Sequence, residues 1–223
     1  MTKSEHRFSS KRLASSLMAT RVILLILFIL PLGACVGAAV GAGAAVGVAA
    51  FDERGVEGVA RDTSIATQIR SKLVGYDLQK NGHLTTDVSV EVHERRAMLT
   101  GIVKSEELRA TAIRSAWEVE GVEKVINELL IGDRSLTDTA LDSWIAAQFT
   151  SKITFDSEVK AVNYNAETVN GAIYLIGVAQ NEAEHRRVLG HARSISRVRD
   201  VISHVRIKNA GQAVNKGGAK KGS

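Results

Sequence analysis

Met98-Leu99-Thr100-Gly101 and Tyr174-Leu175-Ile176-Gly177 are one short phrase written twice, 76 residues apart. Working outward, the same offset pairs Ala116 with Ala192, Val119 with Ile195 and Val122 with Val198. It continues through Val125 with Val201, Ile126 with Ile202 and Ile131 with Ile207. Upstream the offset is 80: Asp62 pairs with Asp142, Ile65 with Ile145, Gln68 with Gln148, and Ser71-Lys72 with Ser151-Lys152. The change from 80 to 76 removes four residues from one connection, between Ile153 and the strand that follows. A repeat of this length predicts two small modules, residues 61–133 and 136–208.

Each copy reads helix, strand, strand, helix, strand. Ile65, Ile69 and Leu73 recur at i, i+4 and i+8, as do Ile145, Phe149 and Ile153, which marks one buried helical face. Val88, Val90 and Val92 alternate as in a half-buried strand, with Tyr164, Ala166 and Thr168 as partners in copy two. Asn170-Gly171 predicts a tight hairpin, since both residues tolerate positive φ. Second strands follow at residues 97–101 and 173–177. The next helices carry Ala112, Ile113, Ala116 and Val119, matched by Val188, Leu189, Ala192 and Ile195. Asn181 with Glu184 predicts a capping box. The last strands, 125–131 and 201–207, alternate again. The expected class is α+β: two tandem αββαβ domains, each a three-stranded mixed sheet packed on two helices.

The amino terminus points to export. Lys3, Arg7, Lys11, Arg12 and Arg21 precede an apolar run from Val22 to Leu32, and Leu32-Gly33-Ala34-Cys35 resembles a lipobox. On this reading residues 1–34 are a lipoprotein signal peptide and Cys35 receives acyl chains such as palmitate. Residues 35–60 are then a Gly/Ala-rich linker. The alternative is an uncleaved membrane helix, because apolar residues run on to Phe51. Against it, residues 36–50 are mostly Gly and Ala, poor helix material and weakly hydrophobic. Gly37, Gly41, Gly43 and Gly47 read either as small-residue packing motifs or as a flexible linker. Cys35 is the lone cysteine, which rules out an intramolecular disulfide.

Charge excludes a nucleic-acid footprint. The net +5 includes +4 from residues 1–34 (five bases, one acid). Residues 61–133 carry ten bases and twelve acids; residues 134–207 carry nine and eight. The tail, 209–223, is rich in Gly and Lys and is expected to be disordered. Any meeting with an anionic surface therefore falls to the second half. The six histidines show no ligand spacing and read as surface residues, so neither metal nor cofactor is expected. No nucleophile–base constellation stands out, and an enzyme is not expected.

The phrases Met98-Leu99-Thr100-Gly101, Val119-Glu120-Gly121-Val122 and Val125-Ile126-Asn127-Glu128 resemble the BON domain, a small module of bacterial envelope proteins. Copy two keeps Leu175-Ile176-Gly177 but has Arg197 where the second glycine belongs. With the lipobox, the chain is similar to dual BON-domain outer-membrane lipoproteins of the DolP type. That resemblance implies a protein on the periplasmic face of the outer membrane. It implies binding of anionic phospholipid through the second BON domain, in support of membrane integrity. Val36 after Cys35, rather than aspartate, resembles the enterobacterial outer-membrane sorting pattern.

The repeat supplies an internal control. Trp144 corresponds to Ser64, one step off the buried stripe, so its indole is expected to be partly exposed. Trp suits a membrane interface, but packing against the first module remains the alternative. By the resemblance, Asp142-Ser143-Trp144-Ile145 looks like the lipid-contacting segment. Leu141 would widen the apolar contact, and Lys152 and Arg134 would hold headgroup phosphates. The rival function is an envelope module that binds a protein partner or peptidoglycan and is merely anchored by lipid.

Overall fold

Gly55–Lys80 forms helix α1 because Ile65, Ile69 and Leu73 give it a continuous buried stripe, and that stripe lies on a three-stranded sheet. The computed structural model describes residues 52–80, 82–133 and 135–208. The remaining elements are α2 (Leu84–Asp87), β1 (Val88–His93), β2 (Arg96–Val103), α3 (Glu106–Trp117) and β3 (Lys124–Ile131). Copy two repeats them as α4 (Leu136–Thr154), β4 (Tyr164–Val169), β5 (Ala172–Ala179), α5 (Glu182–Arg193) and β6 (Asp200–Ile207). A 3-10 turn, Ala161–Asn163, stands where copy one has α2. Strands β1 and β2 are antiparallel, β2 and β3 parallel, and β4, β5 and β6 repeat that order. This is the expected α+β architecture.

The hairpins close on Glu94-Arg95 and Asn170-Gly171, all four at positive φ. Each turn is held by the paired aspartate of the preceding long helix. Asp62 accepts from the N–H groups of Glu94 (2.7 Å) and Arg95 (2.9 Å). Asp142 accepts from those of Asn170 (2.9 Å) and Gly171 (2.8 Å). Helix starts are capped by Ser105, Ser135 and Asn181, whose side chains accept from Leu108, Asp138 and Glu184 N–H respectively. The Asn181–Glu184 capping box is only half formed. The Glu184 carboxylate instead accepts from Gln180 N–H (2.6 Å) and Lys160 N–H (2.8 Å), both at part-buried positions.

The sheet faces opposite the helices pack on each other. Met98 and Ile126 of the first module meet Val169, Tyr174 and Ile176 of the second, with Ile102, Ala172 and Ile202 alongside. Polar bonds ring that contact. Asn165 donates to Glu91 (2.7 Å), Ser89 donates to Glu167 (3.2 Å), and His204 pairs with Glu128 (2.7 Å). Arg96 reaches the carbonyls of His204 (2.7 Å) and Gly177 (3.1 Å). Asp52, Glu53 and Arg54 strap the two modules together. Arg54 binds Asp52 (2.7 Å) and Asp62 (2.9 Å) in the first, while Glu53 bonds Asn163, Lys160 and Lys208 in the second. Lys208 and Lys160 hold the Glu53 carboxyl at about 2. All of these contacts fall between Asp52 and Lys208, within one compact unit that begins at Ala49. A fragment from Ala49 therefore carries the whole of this described fold.

His93 corrects the expectation of surface histidines. It ends β1 on the face turned toward the second sheet and is fully buried. Neither ring nitrogen has a hydrogen-bond partner. Desolvation first, then the Arg54 charge, pushes its pKa down to about 4. The sign follows. Folded His93 stays neutral while the unfolded imidazole takes up a proton near its ordinary 6.5, so stability is full above that pH. It is lost as pH falls from about 6.5 toward about 4, to a total on the order of 3 kcal/mol. Urea unfolding at pH 7 and pH 5 should show the wild-type chain losing about 2 kcal/mol more than His93→Gln. Equal losses would remove His93 as the cause.

Candidate functional site

Helix α4 carries few charges for its length. Among its 19 residues only Asp138, Asp142 and Lys152 are ionisable, and Asp142 is buried beneath the hairpin. Ile145, Phe149 and Ile153 face the core. At 3.6 residues per turn the opposite side presents Leu136, Ala140, Trp144, Ala147 and Ser151, an uncharged stripe. Trp144 is 44% exposed and Leu136 91% exposed, and Phe155, the C-cap, is 86% exposed. The matching stripe of α1, Val56, Ala60, Ser64, Thr67 and Ser71, is uncharged as well, and Glu57, Arg61, Arg70 and Lys72 lie beside it. The two copies share a buried face and an uncharged outer stripe, and differ in the indole that Trp144 sets where copy one has Ser64.

Trp144 also opens an indentation. Thr137, Ala140, Leu141, Trp144, Ser196 and Arg197 line an open groove of about 500 Å³ between α4 and the loop after α5. All six belong to the second module, and Trp144 lies outside the sheet-to-sheet contact. Leu141 is half-buried, with one side on the core and the other on the groove. The arrangement offers an indole, aliphatic side chains and one guanidinium to a ligand that is apolar at one end and anionic at the other.

Trp144 and Leu141 are thus brought together as expected. Lys152 is exposed but lies eight residues along the helix from Trp144, roughly 12 Å, and does not line the groove. Arg134 and Cys35 lie outside the described residues, as do the signal segment and the Gly/Lys tail. Arg197, Leu136 and Phe155 escaped the sequence reading as contact residues. The repeat held the clue to the first, since Arg197 replaces the glycine found at Gly121. Leu136 and Phe155 flank the periodic stripe, where helical spacing assigns no partner. Trp117, at the end of α3, is 52% exposed, as its match to Arg193 implies. Among the described residues no group of acids and histidines could hold a metal ion. No helix there is long and apolar enough to cross a membrane.

Comparison with known proteins agrees with this architecture. The chain is similar to an uncharacterised protein of Anaplasma centrale, 37% identical over 127 residues, covering 56% of this chain and 84% of that protein. It is similar to outer membrane lipoprotein DolP of Haemophilus influenzae, 28% identical over 172 residues, covering 75% and 86%. It is also similar to osmotically-inducible protein Y of Escherichia coli, 27% identical over 150 residues, covering 66% and 73%. The BON domain pattern matches twice, at residues 61–133 and 141–209, over both copies of the αββαβ unit. With two matches spanning well over half its length, the chain belongs to the BON domain family, as a tandem pair.

Proposed function

We propose that this protein is a lipid-anchored component of the outer membrane, facing the periplasm, which binds anionic phospholipid through its second BON domain. Its role is attachment rather than catalysis, in support of membrane integrity. Acyl chains at Cys35 give one hold. The outer face of α4 gives the second, and two weak holds anchor far better than one. The observation that carries this reading is the uncharged stripe of Leu136, Trp144 and Phe155 beside a groove with a cationic wall. The name of the Haemophilus relative supports the location and the anchor.

The test removes the anchor and asks whether the domain still binds. The fragment from Ala49 should co-sediment with phosphatidylglycerol vesicles and leave phosphatidylcholine vesicles largely in the supernatant. Trp144→Glu should weaken that binding about tenfold or more, since an indole taken from water contributes roughly 2 kcal/mol. Its circular dichroism should be unchanged, because the position is on the surface. A wild-type fragment that ignores both vesicles, or a Trp144→Glu variant that binds equally, sinks the reading.

A further inference from the structure

Arg197 holds a backbone conformation that glycine would hold more cheaply. Its φ is +68°, in the left-handed region. At the matched place in copy one stands Gly121, with φ +92°. A methyl group added at Gly121 would meet nothing nearer than 3.4 Å, so space does not demand that glycine and backbone conformation does. An arginine that keeps this conformation carries local strain of the kind that persists at functional positions.

The side chain stands at a particular place. Arg197 is exposed and forms one wall of the groove that Trp144 and Leu141 share. No carboxylate lines that groove. Among the described residues no hydrogen bond or ion pair engages the Arg197 guanidinium. Two of its neighbours in the loop after α5 are committed elsewhere: Ser194 bonds the His191 carbonyl, and Arg199 bonds Asn170. Arg197 alone in that loop is an uncommitted fork of donors at an apolar rim. A guanidinium matches a phosphodiester in both charge and bidentate geometry, which a lysine would not.

Resting on the membrane reading above, we propose that Arg197 is the headgroup ligand of this groove: its guanidinium binds the phosphodiester of an anionic phospholipid at the bilayer surface while Trp144 and Leu141 enter the acyl boundary. The residue accepts a strained backbone in exchange for charge at that spot. Phosphatidylcholine carries the same phosphodiester, but its choline cation offsets that charge and repels a guanidinium; selectivity for anionic over zwitterionic lipid then comes from Arg197, and general affinity for a bilayer from Trp144.

This predicts an unusual pairing of effects. In the fragment from Ala49, Arg197→Gly should leave the thermal midpoint unchanged or raised, because glycine suits the conformation. The same change should lower affinity for phosphatidylglycerol vesicles roughly fivefold and flatten its dependence on salt. The weak binding to phosphatidylcholine vesicles should fall far less, so that the preference for phosphatidylglycerol shrinks. Arg197→Asn, which also tolerates positive φ, should behave alike and guards against an effect peculiar to glycine. Trp144→Glu runs beside them and should lose binding to both vesicles. If Trp144→Glu fails to bind while both Arg197 variants keep full preference for phosphatidylglycerol, the Arg197 role is wrong and the membrane reading survives. If all three bind as wild type does, the membrane reading falls with it. A lowered midpoint in both Arg197 variants overturns the proposal too, because the loss would then be one of fold.

Discussion

Gly177→Ala is expected to destabilise the second BON domain by roughly 3 kcal/mol, a large fraction of the stability of a small domain. Gly177 sits in β5 opposite Tyr164, where β4 begins. A Cβ there would stand 2.2 Å from the Asn163 carbonyl oxygen and 3.1 Å from Tyr164 Cα. Both are backbone atoms, so no side chain can swing aside, and the start of β4 must move. The Gly177 carbonyl also accepts from Arg96 across the domain contact, so the disturbance reaches the first domain. Gly101→Ala should do the same in copy one, where the added atom falls 2.0 Å from the Asp87 carbonyl oxygen. Urea unfolding of either variant measures this. A loss below about 1 kcal/mol would mean that the strand entry yields easily, and the packing account of this glycine would be wrong.

Asp142→Ala should be nearly as severe, at about 3 kcal/mol. The carboxylate is buried, and its two oxygens take the N–H groups of both turn residues, Asn170 and Gly171. Removing it leaves two donors without their acceptor, the Gly171 N–H at a buried site, and frees the hairpin from α4. Asp142→Asn keeps one acceptor and should lose about half as much. Asp62→Ala in copy one should be at least as damaging, because Arg54 also bonds that carboxylate and would be left with a single acid partner. Hydrogen exchange at the amides of residues 170 and 171 provides the local readout: exchange should rise in Asp142→Ala before global unfolding sets in. Unchanged protection would show that the turn stands without its aspartate.

Much of the fold was legible because the duplication turned one sequence into two readings of one structure. Ile65, Ile69 and Leu73 and their partners in copy two set the helix faces, and the core bears them out. The matched pair Asp62 and Asp142 signalled register, but sequence gave no sign that each staples a turn more than two dozen residues away. Ser89, Glu91 and His93 look like the wet face of a strand. They are instead covered by a second sheet, and a polar alternation cannot tell water from a polar interface. The site was half legible. Trp144 stands where the repeat comparison put it, partly exposed and one step off the buried stripe, and Leu141 lies beside it in the groove. Lys152, selected for proximity in sequence, lies two helical turns off, whereas Arg197 approaches from a loop 53 residues away in the chain.

The central claim is that Trp144 enters the membrane boundary when the protein meets anionic lipid. With Trp117→Phe, Trp144 becomes the sole indole of the fragment from Ala49, and its fluorescence reports on that one position. Vesicles of phosphatidylglycerol brominated along the acyl chains should shift its emission to the blue and quench it. Brominated phosphatidylcholine vesicles should do so only weakly. Emission that stays at the wavelength of a water-exposed indole, unquenched by brominated phosphatidylglycerol, would contradict the account.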